Sequence, residues 1–277
     1  MLRSRIEALF ASPPAKYESG HFALFAEFKE ALNRGEIRAA EPDISAKTGW
    51  RVNAWVKQGI LVGFRMGAIA EVPGSPQTFF DKTTYPPRSF TLNDGVRLVP
   101  GGSSVRDGCF VGRGTICMPP MFINVGAYVG ENTMIDSHAL VGSCAQIGRG
   151  CHVSAGAQIG GVLEPVGAVP VIVEDEVLIG GNCGVYEGTV VKRRAVLGTG
   201  TILNGSIPVY DLVRDAVYAA QGDEPLVIPE EAIVVPGSRA VRNPAGAKWG
   251  ISLQAAVIVK YRDAKTEARV TLEEWLR

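Results

Sequence analysis

The sequence is short of several things, and each shortage removes a class of function. No apolar run reaches the ~20 residues that a membrane-crossing helix needs, so a membrane protein is not expected. The first residues carry no basic-then-apolar leader pattern, which fits a cytoplasmic protein. Neither sign of charge is in excess: Lys+Arg 28 balances Asp+Glu 28. With aromatics at 8% and no basic stripe threaded between them, nucleic acid is not expected as a partner. Histidine is scarce, with only His21, His138 and His152, and His21 falls in a helical segment. A three-histidine zinc site is therefore not expected, and no metal is assigned. The five cysteines, Cys109, Cys117, Cys144, Cys151 and Cys183, are odd in number and show no Cys-x-x-Cys spacing. They read as reduced, buried thiols.

Glycine, at 33 of 277 residues, is abundant, and so is a six-residue period. In "NVGAYVGENTMIDSHALVGSCAQIGRGCHVSAGAQIGG" an aliphatic residue returns at Val129, Ile135, Val141, Ile147, Val153 and Ile159. Two residues before each stands a small one: Ala127, Thr133, Ala139, Ala145, Cys151 and Ala157. Neither the helical period of 3.6 nor the strand period of 2 produces this double pattern. It is an internal repeat, and it predicts short strands joined by tight turns. Three strands make one triangular coil, and stacked coils pair into parallel sheets about 4.8 Å apart. Glycines follow many of the aliphatic residues, where a chain turning corners would use their permissive dihedrals. The fold class is thus mainly β, a parallel β-helix of hexapeptide repeats.

Three regions follow. Residues 1–95 lack the repeat and form a small helical N-terminal domain. There "HFALFAEFKEALNRG" places Phe22, Phe25, Phe28 and Leu32 on one helical face, with Gly35 as its stop. "VNAWVKQGILVGFR" is a second helix with Asn53 as N-cap, and the Pro-rich "KTTYPPRSF" is a connector. Residues 96–240 form the β-helix, interrupted at 160–173, where the repeat pauses and then resumes at Val173, Ile179, Val185, Val191, Leu197 and Leu203. A coil that loses its period there extrudes a loop, and loops on rigid scaffolds tend to carry function. Residues 241–277 carry a strand, Gln254 to Tyr261, and a short helix from about Thr271.

The strings "NVGAYVGENTMIDSHALVGSCAQIG", "GGVLEPV", "AAVIVKYRDAKT", "VRLVP" and "VYEGTVV" resemble the tetrahydrodipicolinate N-succinyltransferases of the diaminopimelate and lysine pathway. The resemblance spans nearly the whole chain and is densest from Arg97 to Leu203. It implies a left-handed parallel β-helix, a homotrimer with active sites between subunits, and succinyl-CoA as co-substrate without a permanently bound cofactor. It implies that Asp136 binds substrate and is essential, that Glu187 is a second essential carboxylate, and that Arg97, Ser143 and Gly161 bind substrate. His138 stands where the family commonly has tryptophan, and it is a candidate to line the site. His152 reads as a turn residue. Residues 206–250 follow the family poorly. Lys260 and Arg262 are candidates to meet CoA phosphates, with a solvated surface role as the alternative.

The implied reaction moves a succinyl group from a thioester to the amine of ring-opened tetrahydrodipicolinate. The amine must be neutral to attack, and a positioned base contributes roughly 100- to 10,000-fold to such a step. Asp136 is the better candidate to hold and orient the nitrogen, and Glu187 the better one for proton transfer. The reverse assignment stays open. Arg97 can form a two-pronged pair with a substrate carboxylate. Two coils and a loop separate Asp136 from Glu187 along the chain, about 10 Å of stacking. One chain cannot easily bring both to one nitrogen, which again points to a site between subunits. Two other readings remain: a β-helix acyltransferase with another acyl-CoA or another amine, and a scaffold without activity.

Overall fold

The computed structural model describes residues 1–72 and 78–263. From Arg97 onward the chain winds into a triangular coil whose strands mostly span two residues, such as Tyr128–Val129 and Met134–Ile135. In most strands the first residue faces outward, half-buried, and the second is buried inside the prism. All twelve aliphatic residues of the repeat, Val129 to Ile159 and Val173 to Leu203, are completely buried, and their small partners are at most 2% exposed. Each such burial is worth about 1.5–3 kcal/mol, so the period is also the core.

Strands eighteen residues apart pair in parallel, as in Tyr128 with Gln146 and Met134 with His152. Three sheets result. Sheet A has six strands, running from Phe110 through Tyr128, Gln146, Ile172 and Val190 to Val227. Sheet B starts at Arg97 and passes through Met134 and His152, and late strands extend it to ten. Sheet C has six strands, including Leu140, Gln158 and Gly184. The "IPEEAIVVPGS" segment continues the coil, with Val227–Ile228 in sheet A and Ala232–Ala240 in sheet B. The final strand, Ser252–Tyr261, pairs antiparallel with Ala232–Ala240 and is longer than expected. A six-residue helix, Pro244–Trp249, precedes it, a feature the sequence reading did not place. The helix expected from Thr271 lies outside the described residues.

The turns need glycine for a reason other than the expected one. Glycines directly after the aliphatic residue, such as Gly130 and Gly148, are not in the left-handed region. Instead a Cβ on Gly130 would stand 2.6 Å from the backbone nitrogen of Arg149 in the next coil. Close stacking excludes the side chain there. The left-handed residues come two positions later: Asn132, His138, Cys144 and Gly150 have φ of 55°, 62°, 66° and 63°.

Three helices precede the coil: α1 (Leu2–Ala11), α2 (Ser19–Asn33) and α3 (Ala54–Met66). The sequence reading did not place α1. In α2 the buried stripe is Leu24, Phe25, Phe28 and Leu32, whereas Phe22 is 43% exposed, so the face is rotated from the expected one. The cause is α3, which approaches so closely that a Cβ on Gly59 would meet the Phe28 ring at 2.5 Å. Gly35 ends α2 with φ +71°, as expected. Asn53 holds the N-cap position of α3, but its side chain does not cap and instead donates to the Arg38 carbonyl at 2.9 Å. The Pro-rich connector buries Tyr85, whose hydroxyl donates to the Ile60 carbonyl at 2.7 Å. His21 serves the N-terminus of α2, its Nδ1 accepting from the Glu18 N–H at 3.0 Å. The five cysteines are buried, each with a reduced thiol.

Candidate active site

The six-residue turns place the site candidates on two edges of the prism. Asp136 follows Ile135 and begins the turn from sheet B to sheet C. That slot holds glycine in the turns after Val129, Val141 and Ile147, and a second carboxylate, Glu174, in the turn after Val173. Asp136 is partly exposed, and its Oδ1 accepts from the Ser137 N–H at 2.7 Å. Its other oxygen lies 3.7 Å from His152 Nε2. His152 is therefore no turn residue: it opens the strand His152–Val153, directly above Met134 in sheet B. The sequence reading missed this contact, although the spacing of 18 from Met134 carries the signal. His138 shares the Asp136 turn and takes its left-handed position. Arg97 belongs to the same sheet, two strands before Met134, and is exposed. The structure thus groups Arg97, Asp136, His138 and His152 on or beside sheet B.

Ser143, Gly161 and Glu187 fall on the other edge, where sheet C turns into sheet A. Ser143 follows Leu140–Val141, and Gly161 stands one coil further on. The two touch: a Cβ on Gly161 would lie 2.7 Å from the Ser143 nitrogen, and the Ser143 carbonyl accepts from the Val162 N–H at 3.2 Å. Glu187 follows Gly184–Val185 one further coil up the same edge. Its φ of 53° marks a turn shaped unlike the others, where this region is entered one residue later. Glu187 Oε2 accepts from the Gly205 N–H at 2.8 Å.

The interruption of the repeat is a loop between the strands Gln158–Ile159 and Ile172–Val173, at that same edge. Together with Glu187, its residues Pro165, Gly167, Ala168 and Val169 line an open cleft of about 790 Å³. Gly188, Gly205 and Ser206 add backbone groups to the wall. Asp136 does not line this cleft. A carboxylate facing glycine-rich turns can accept a proton while backbone N–H groups steady a developing oxyanion.

The C-terminal basic pair stands elsewhere. Arg262 donates from Nη2 to the Glu176 carbonyl at 2.8 Å and from Nε to the Arg194 carbonyl, at the edge between sheets A and B. Lys260 pairs with Asp263 at 3.1 Å. Among the described residues no three or more His, Cys, Asp or Glu side chains come together as a metal-binding group.

Residues 1–66 match the family model described as tetrahydrodipicolinate N-succinyltransferase N-terminal. Residues 126–161 match the bacterial transferase hexapeptide (six repeats), and residues 170–204 the hexapeptide repeat of succinyl-transferase. The chain is 40% identical over 255 residues to the 2,3,4,5-tetrahydropyridine-2,6-dicarboxylate N-succinyltransferase of Afipia carboxidovorans, covering 90% of this chain and 87% of that one. It is 42% identical over 258 residues to the protein of that name from Polynucleobacter asymbioticus, covering 90% and 86%. With the one from Xylella fastidiosa it shares 40% over 253 residues, again covering 90% and 86%. This chain belongs to the tetrahydrodipicolinate N-succinyltransferase family of hexapeptide-repeat acyltransferases.

Proposed function

We propose that the protein transfers the succinyl group of succinyl-CoA to the amino nitrogen of ring-opened tetrahydrodipicolinate, in diaminopimelate and lysine biosynthesis. The observation that carries this is the 38–42% identity, over about nine-tenths of the chain, to proteins bearing that one activity name. The chemistry balances simply. The neutral amine attacks the thioester carbonyl, the new C–N bond forms, and the C–S bond breaks. The CoA thiolate leaves, and the proton lost by nitrogen passes to a carboxylate or its relay.

In this reading Arg97 grips a substrate carboxylate, Asp136 orients the nitrogen, and Glu187 takes the proton. Ser143 and Gly161 line the substrate edge. The protein acts as a cytoplasmic homotrimer, with no metal and no resident cofactor. One arrangement supports the trimer. Asp136 and Glu187 occupy the two edges that flank sheet C. Three prisms turning that face to a common axis would bring each Asp136 edge beside a neighbour's Glu187 edge. Lys260 and Arg262 are offered less to CoA than the sequence suggested, since both make contacts within the chain.

The test is thiol release from succinyl-CoA with tetrahydrodipicolinate or 2-aminopimelate as acceptor, run beside acetyl-CoA. Turnover with succinyl-CoA and little with acetyl-CoA is expected. Preference for acetyl-CoA would shift the assignment to another acyl donor, and no turnover with either would reject it.

A further inference from the structure

Lys57, in the first turn of α3, is completely buried. Its Nζ donates to the Ala168 carbonyl at 2.6 Å. Among the described residues no carboxylate pairs with it, and burial pushes its pKa down. A buried ammonium without a counter-ion is costly, and an apolar side chain of similar length would fill the same space at less cost. The lysine is explained by what it holds.

What it holds is the loop that interrupts the repeat. Ala168 is part of the wall of the cleft that contains Glu187. The buried thiol of Cys144, the residue after Ser143, lies near enough to Lys57 to act on its charge. One helical turn on, Ile60 presses against the preceding turn of the same edge, so that a Cβ on Gly126 would meet its Cδ1 at 2.5 Å. Val125, Cys144 and Leu163 all pack into the core of the helical region. The helices therefore dock on the prism edge that carries Ser143, Gly161 and Glu187, and Lys57 is the polar contact from α3 into the loop.

We propose that Lys57 is a positioning residue for the reaction: from the helical region it fixes the 160–171 loop as the wall of the Glu187 cleft and thereby sets substrate binding. It touches no substrate itself. The proposal rests on the reading that this edge binds substrate.

The test combines steady-state kinetics with hydrogen exchange on Lys57→Met, a substitution that keeps most of the length and removes the donor. Exchange of loop amides should rise at least about tenfold, while α2 and α3 keep wild-type protection. KM for at least one substrate should rise by about tenfold or more, with kcat within about threefold of wild type. Lys57→Gln, which retains an N–H donor with shorter reach, should fall between the two. Unchanged loop exchange, or a faster loop with unchanged KM, would overturn the proposal. Failure of both variants to fold would also overturn it, because Lys57 would then be a residue of the helical core alone. Loop exchange is read without turnover, so a wild-type protein inactive with succinyl-CoA defeats the assigned reaction while the loop measurement still decides whether Lys57 holds the loop.

Discussion

Asp136 and Glu187 stand two coils apart and on different edges of the triangular prism. Two parallel pairings, Leu140 to Gln158 and Gln158 to Gly184, separate them along the axis, about 10 Å of stacking. The width of sheet C lies between them as well. A single nitrogen cannot touch both carboxylates of one chain, since hydrogen-bond reach is about 3 Å. If both act in one reaction, they act from different chains or at different atoms of the substrate.

Arg97 makes a separable contribution in this scheme. It is exposed on sheet B, and no carboxylate pairs with it among the described residues. Arg97→Lys keeps the charge and loses the two-pronged fork. KM for the acceptor should rise about tenfold or more, with little change in KM for succinyl-CoA. Equal effects on both substrates, measured by varying each in turn, would remove Arg97 from the acceptor site.

Metal dependence is a second discriminator. Full activity is expected after exhaustive chelation with EDTA and gel filtration. Activity lost on chelation and restored by zinc would overturn the assigned chemistry.

The coil was legible in the sequence because a period of six is a geometric statement: every repeat residue named from the pattern is buried. The site was legible only in part. Ser143 with Gly161 could be placed together because their turns stack one coil apart. The Asp136–His152 contact could have been found the same way, since strand partners differ by 18 in number. Lys57 could not, because its loop partner is fixed by how α3 docks rather than by any local pattern. Phe22 failed for a related reason: a helical face is known from the sequence only to within a residue, and packing against Gly59 sets the rest. Nearness to the next coil, which is invisible in a single repeat, is what excludes a side chain at the glycines after the aliphatic residues.

The buried thiols predict an alkaline limit. Burial pushes Cys109, Cys117 and Cys144 up to about 12 from an ordinary 9.0. Between those values the unfolded chain has lost the thiol protons while the folded one keeps them. The unfolded state then binds fewer protons, so stability falls as pH rises from about 9 toward 12. Each thiol contributes up to about 1.4 kcal/mol per pH unit to that slope. Urea unfolding at pH 8, 9 and 10 should show the decline, and Cys117→Ala should flatten it by about that amount. An identical slope in the variant would mean that Cys117 titrates normally in the folded protein.

The two-edge arrangement yields the strongest test of the shared site. Asp136→Asn and Glu187→Gln replace partly exposed turn residues outside the buried core, so each variant should keep the fold and the proposed trimer. Each should lose at least about 100-fold in activity, the contribution of a positioned acid–base group. Unfolding the two variants together and refolding them at equal amounts gives mixed trimers. An interface regains function when the chain giving Asp136 comes from the Glu187→Gln variant and the chain giving Glu187 comes from the other. With random mixing that occurs at about one interface in four, so activity should recover to about a quarter of wild type. If each site lay within one chain, every site would carry one defect and no recovery would be possible. Exchange must be verified separately, by mass spectrometry of trimers built from one isotope-labelled and one unlabelled variant. Folded, fully exchanged trimers that stay inactive would remove the interface from the mechanism and return both carboxylates to separate roles.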